Sequence, residues 1–133
     1  MITYHNTKSF TPQALQDLFL SVGWSSGNFP DKLCAAMKNY GTVFSAWDAD
    51  RLIGMICTLD DGVMTAYVHY LLVDPDYQGR GIGRHLINIL REHYSDYTRI
   101  VLGAYNTQVG FYEACGFHRY TEASFMAITD MTD

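Results

Sequence analysis

The sequence predicts an α/β fold of about seven strands and four helices in a single domain of 133 residues. Three observations predict it. Short β-branched and aromatic runs alternate with segments whose apolar residues recur at helical spacing. A glycine-rich turn, Gln78-Gly79-Arg80-Gly81-Ile82-Gly83, joins one such run, Tyr67–Val73, to the clearest helical segment. The chain is also long enough for a core, with 48% hydrophobic and 17% charged residues, near ordinary globular usage.

The elements follow in order. Ile2–His5 reads as an edge strand. Thr11-Pro12 supplies an N-cap and a proline at the first helical position. Leu15, Leu18, Phe19 and Val22 then lie on one helix face, and Gly23 ends it. Trp24–Pro30 is a loop, and Asp31–Lys38 is a second short helix carrying Leu33, Ala36 and Met37. Val43–Trp47 and Leu52–Thr58 are strands joined by the turn Asp48-Ala49-Asp50. Asp60-Asp61-Gly62 turns the chain into the strand Tyr67–Val73, which Asp74-Pro75 stops, since proline has no N–H to give a ladder. Ile82, Leu86, Ile89 and Leu90 mark the next helix. Arg99–Tyr105 is a strand and Thr107–Cys115 a helix that stops at Gly116. His118–Tyr120 and Phe125–Ile128 are expected to close the sheet as a hairpin.

The glycine turn carries the chemistry. A helix N-terminus offers unpaired N–H groups and a partial positive charge, and glycines let an anion approach the backbone. Arg80 and Arg84 add full charges, so the turn reads as a cradle for phosphate or pyrophosphate; otherwise it is simply a tight connection. The spacing is neither a P-loop nor a dinucleotide-binding G-x-G-x-x-G. It matches Gln/Arg-x-x-Gly-x-Gly/Ala, the pyrophosphate loop of the Gcn5-related N-acetyltransferases (GNAT family). The flanks Leu71–Tyr77, Arg84-His85-Leu86 and Phe111–Phe117 strengthen the match, and the chain resembles that family over nearly its whole length. Within it, short stretches such as Ser21–Trp24 are similar to arylalkylamine and serotonin acetyltransferases.

The resemblance implies a mixed sheet splayed between its fourth and fifth strands, with acetyl-CoA as acetyl donor. Its pyrophosphate would lie on Gln78, Gly79, Arg80, Gly81, Ile82, Gly83 and Arg84. The pantetheine arm would lie along Leu71, Leu72 and Val73, with a backbone N–H near Leu72 polarising the thioester. Asn106 and Phe111 would touch the same cofactor. Asn106 would equally cap the following helix.

Acetyl transfer to an amine needs a proton removed from the amine and charge stabilised on the departing thiolate. Tyr112 holds the family's acid position, and its alternative is a core aromatic. His69 is the candidate base, directly or through water; its alternative is a structural strand histidine. In the arylalkylamine branch two histidines lie two residues apart on this strand, and here Tyr67 replaces the first. Trp24 and Phe29 are candidate walls for the acceptor, and Asp60 and Asp61 are acids able to attract a cationic amine. The implied function is N-acetylation of a small primary amine by direct attack in a ternary complex. Two alternatives stay open: acetylation of a protein lysine or N-terminus, and a non-catalytic acyl-CoA-binding module.

Composition argues against other classes. A net charge of −5 disfavours nucleic-acid binding, and apolar runs are too short to span a bilayer. Cys34, Cys57 and Cys115 fit neither a disulfide framework nor a zinc pattern, and no metal is expected. With no secretory signal visible, reduced thiols point to a cytoplasmic protein. The apolar closing strands allow a homodimer.

Overall fold

A computed structural model describes residues 1–133. Its elements are β1 (Ile2–His5), α1 (Pro12–Ser21), α2 (Pro30–Asn39), β2 (Thr42–Asp48), β3 (Arg51–Asp60), β4 (Thr65–Val73), α3 (Ile82–His93), β5 (Arg99–Leu102) and α4 (Val109–Ala114). The strands form one sheet in chain order, antiparallel from β1 to β4 and parallel between β4 and β5.

Local chemistry explains the boundaries. Thr11 Oγ1 accepts the Ala14 N–H at 3.1 Å, and Pro12 opens α1. Gly23, at φ +75°, follows its end. Asp31 in the first turn of α2 and Lys38 in the last complement the helix dipole. At the β3–β4 turn, Asp61 Oδ1 accepts the N–H groups of Val63, Met64 and Thr65 at 2.7–3.0 Å. Those bonds hold its acid down to about 2.

Two apolar layers sandwich the sheet. α1 and α2 cover one face with Leu15, Leu18, Phe19, Leu33 and Met37 against Val43, Met55 and Leu72. α3 covers the other with Ile82, Leu86, Ile87 and Leu90 against Ala46, Ile53, Ile56, Ala66 and Val68. Ile87 is buried, whereas Ile89, read as part of that face, is only partly so. Each fully buried Leu or Phe contributes roughly 1.5–3 kcal/mol of transfer free energy.

Two irregularities in β4 shape the functional end. Cys57 faces Tyr70 and Thr58 faces Val68, so His69 has no partner on β3 and forms a bulge. The extra residue reverses the alternation. Ala66 and Val68 face the α3 layer, whereas Tyr70 and Leu72 face the α1–α2 layer. On its other side, β4 pairs with β5 only as far as Val68 opposite Leu102. From His69 to Val73 it has no β5 neighbour. The strand expected to reach Tyr105 stops at Leu102, and the sheet opens there.

The sheet has five strands, not seven. The hairpin expected at His118–Tyr120 and Phe125–Ile128 does not form. Met126 and Ile128 are 85% and 104% exposed, so a strand there has no buried face to set its register. The segment instead lays Phe125 closely over Gly103, where a Cβ would meet the ring at 2.7 Å. It ends with Asp133 on the α1–α2 loop.

Candidate active site

The glycine loop leaves β4 through Asp74 and a 3₁₀ turn, Pro75–Tyr77. Asp74 Oδ1 accepts the Asp76 N–H at 2.9 Å, and its Oδ2 pairs with Arg51 at 3.0 Å. The Tyr77 hydroxyl donates to Asp48 at 2.6 Å, and its ring lies between the guanidinium groups of Arg51 and Arg80. Gln78 ties the loop back by donating to the Val73 carbonyl at 2.9 Å. The loop is therefore braced from beneath, with the Arg80 charge held beside it and Arg84 exposed nearby.

Gly79 and Gly81 lie at φ +79° and +78°, where a side chain is strained, and a Cβ at either meets nothing within 4 Å. Gly81 caps α3 without a side-chain bond. The N–H groups from Gly79 to Arg84 have no acceptor within the protein. Six unpaired donors, with room left at Gly79 and Gly81, fit a diphosphate. Phe111 backs this helix start; a Cβ on Gly83 would lie 3.1 Å from its ring.

The freed edge of β4 continues the site. Asp74 N–H bonds to the Ile53 carbonyl at 2.8 Å, which sets the phase of the antiparallel ladder. Alternation then turns the polar groups of Leu72 toward β3 and those of Leu71 and Val73 away from it, into the opening beyond Leu102. The free N–H groups on the edge nearest Leu72 are therefore those of Leu71 and Val73.

Tyr112 lies on the α3 side of this opening, packed with Phe117 and Phe111 at ring distances of 5.7 and 5.2 Å. Burial, then the nearby Cys115, pushes its phenol up to about 12. Its hydroxyl has no protein partner and is not sealed from the surface. Asn106 starts a 3₁₀ turn and accepts from Arg119 at 3.4 Å; it does not cap α4, whose N-cap is Gln108.

His69 lies toward the α2 side. Its Nδ1 is 2.6 Å from the Tyr40 hydroxyl, its ring stacks on Tyr70 at 4.1 Å, and Tyr67 is 6.2 Å away. The ring edge is open, but these aromatics strip water from it and lower its pKa. The Tyr70 hydroxyl meets Ser26 Oγ at 2.7 Å. Ser25, Ser26 and Tyr105 all donate to Asp133. Trp24 joins this cluster, 5.8 Å from Tyr70 and 6.2 Å from Phe19. Phe29 does not; it is 45% exposed with Lys32 over its ring. Asp60 is engaged by Tyr94 at 2.7 Å, and Asp61 by its turn, so both acids have structural partners.

Tyr40, Ser26, Tyr70 and Asp133 were not marked by any sequence signal. Tyr70 adjoins His69 in sequence, whereas Tyr40, Ser26 and Asp133 join the cluster through bonds spanning 29 or more positions, beyond any local pattern. A hollow of about 690 Å³ lies elsewhere, between α1 and the start of β3, and includes the paired Arg51 and Asp74.

Comparison with known proteins agrees with this geometry. A family profile described as an acetyltransferase (GNAT) domain matches residues 9–131. A histone acetyltransferase of Glycine max is 36% identical over 116 residues, covering 77% of this chain and 50% of that protein. A chloroplastic GCN5-related N-acetyltransferase of Arabidopsis thaliana is 33% identical over 125 residues, covering 77% and 48%. The chain thus spans about half the length of these curated relatives. Among solved structures, a GNAT-family acetyltransferase from Streptococcus pneumoniae superposes with a TM-score of 0.83 at 25% identity, covering 98% and 99% of the two chains. A structure from Deinococcus radiodurans, described as an acetyltransferase, gives 0.83 at 26%, covering 96% and 88%. The family profile covers most of the chain, and the chain belongs to the GNAT acetyltransferase family.

Proposed function

We propose that this chain is an acetyl-CoA-dependent N-acetyltransferase for a primary amine of a small molecule, acting by direct attack in a ternary complex. The observation that carries the reading is the break in the β4–β5 ladder, which opens directly beside the unpartnered amides of Gly79–Arg84. Acetyl-CoA bound there supplies an acetyl thioester to the amine.

The chain's own residues divide the work. The loop amides and Arg80 hold the diphosphate. The outward groups of Leu71 and the N–H of Val73, whose carbonyl Gln78 already holds, pair with an extended arm as a missing strand would, and an N–H among them polarises the thioester carbonyl. The Tyr112 phenol addresses the departing sulfur. At about 12 it is a far weaker acid than a thiol of about 8.5. Full proton transfer is uphill by roughly 5 kcal/mol at 1.36 kcal/mol per unit. Tyr112 therefore serves as a donor of a hydrogen bond to the charge gathering on sulfur, and stays protonated at neutral pH. The acceptor enters on the side of Trp24, Tyr70 and His69. Cys57 and Cys115 are buried and Cys34 is partly buried, so attack does not pass through a cysteine.

The test is thiol release from acetyl-CoA with a panel of arylalkylamines, polyamines and lysine peptides. Turnover favouring the small amines is expected. Preference for peptides would replace this reading with protein acetylation, which the name of the soybean relative favours as the second choice. Acetyl-CoA binding without turnover on any acceptor would leave a binding module.

A further inference from the structure

We propose that Tyr40 is a positioning residue that keeps the proton of the neutral His69 ring on Nε2, so that His69 enters the cleft as a hydrogen-bond donor and not as a base. This rests on the acetyltransferase reading above and assigns roles within that site.

The argument begins with how firmly Tyr40 is held. It closes α2, giving its N–H to the Ala36 carbonyl at 3.1 Å and taking Lys8 Nζ on its own carbonyl at 2.7 Å. Its side chain is 5% exposed within the α1–α2 core. The hydroxyl has one protein partner, His69 Nδ1, at 2.6 Å. A phenol carries one proton and needs an acceptor for it. Nδ1 is the acceptor within reach, so the O–H points there and Nδ1 offers its lone pair. The ring's own proton then sits on Nε2. That nitrogen has no protein partner, and the ring edge is open.

The surroundings keep both partners neutral. Burial raises the Tyr40 phenol and lowers the imidazole. The titratable groups facing the pair are Tyr67 and Tyr70 on β4 and Cys57 on β3, the last a buried thiol pushed upward. Ser26 Oγ bridges the Tyr70 hydroxyl and the main-chain oxygen of Asp133, and burial with, in smaller part, the Asp133 charge raises the Tyr70 phenol. No carboxylate forms an ion pair with the ring to favour imidazolium. The bulge turns His69 out of the ladder, just where β4 loses β5. A neutral ring so placed presents N–H to an oxygen of the thioester or the acceptor. The amine's proton then leaves to water: its N–H bond breaks as an O–H bond forms, and the nitrogen lone pair is freed for attack.

Two measurements on the full chain test this. Ring-nitrogen NMR of ¹⁵N-histidine-labelled protein at pH 7.5 should show His69 as the Nε2–H tautomer, with Nδ1–H appearing in Tyr40→Phe. A dominant Nδ1–H form in the wild type, or a tautomer unmoved by Tyr40→Phe, would overturn the assignment. Kinetics separate donor from base. A glutamine amide can donate but cannot accept an amine's proton, so His69→Gln should lose several-fold less kcat/KM than His69→Ala, which loses at least about tenfold. A base contributes about 10²–10⁴-fold, and its loss would make the two variants equally slow. That result, or an unimpaired His69→Ala, overturns the donor role. Absence of turnover in the wild type would instead defeat the acetyltransferase reading, and the tautomer measurement would still stand.

Discussion

The two ends of the cleft are built from different materials. The donor end is backbone: seven consecutive residues, Gln78 to Arg84, with two positive φ angles and a row of N–H groups left free. The acceptor end is side chains. Tyr40, Ser26, His69, Tyr70 and Asp133 come from separate parts of the chain and are bonded or stacked on one another. A backbone site tolerates many side chains at its neighbours but not the loss of its glycines. A side-chain site can be retuned one residue at a time while the strand beneath it stays the same. The difference teaches where each kind of substitution should act: donor affinity breaks at the loop, and acceptor handling breaks at the aromatics.

The largest effect should follow Gly81→Asp. At φ +78° asparagine and aspartate bear similar backbone strain, about 1–2 kcal/mol, so Gly81→Asn is the matched control. The carboxylate adds repulsion toward a diphosphate. Calorimetry should show acetyl-CoA affinity falling at least about 100-fold for Asp and much less for Asn, with the circular dichroism of both near wild type. Equal losses would mean that the loop's shape, and not its charge, controls binding. Next comes Tyr112→Phe. Losing one donor to a developing charge costs about 10²–10³ in kcat in comparable sites. Acetyl-CoA affinity should stay within about twofold, because the phenol meets charge that builds only during transfer. Parallel losses in kcat and affinity would return Tyr112 to a packing role.

The same division decides what could be read in advance. The glycine loop, the Thr11 cap and the α1 face are local patterns, and each lies where the spacing put it. That the fourth and fifth strands part was expected from family resemblance, with no residue assigned to the break; the residue pattern carried the fifth strand to Tyr105, and pairing ends at Leu102. The bulge at His69 is invisible in Tyr67–Val73, since a one-residue slip leaves composition unchanged. Tyr40 was invisible as a partner because 29 residues separate it from His69. The closing hairpin was over-read because Phe125–Ile128 has strand-like residues, while burial, which decides pairing, depends on what lies beneath.

The pH profile should sharpen the acceptor end. A histidine base with a lowered pKa would be ready above about 6.5, and kcat/KM would level off from there upward. A neutral donor gives no such plateau. The rate then follows the free amine, whose pKa is about 10, and rises about tenfold per pH unit between 7 and 9. A plateau already reached by about pH 6.5 would restore the base role to His69.

The smallest effect divides the acceptor loop itself. Trp24 packs on Phe19 and Tyr70, and Tyr70 in turn supports the His69 ring at 4.1 Å. Trp24→Ala should loosen that stack and raise the acceptor KM about three- to tenfold, as about 0.6–1.4 kcal/mol of lost aromatic packing would do. Phe29 stands in the same loop but 45% exposed, with its ring engaged by Lys32. Phe29→Ala should leave the acceptor KM within about twofold, because an exposed cation–π pair contributes only about 0.5–1 kcal/mol and bears on no residue of the cleft. Acetyl-CoA KM should stay level in both variants. If Phe29→Ala raised the acceptor KM as much as Trp24→Ala, the acceptor would reach outward over the loop, and the boundary drawn at Tyr70 would have to move with it.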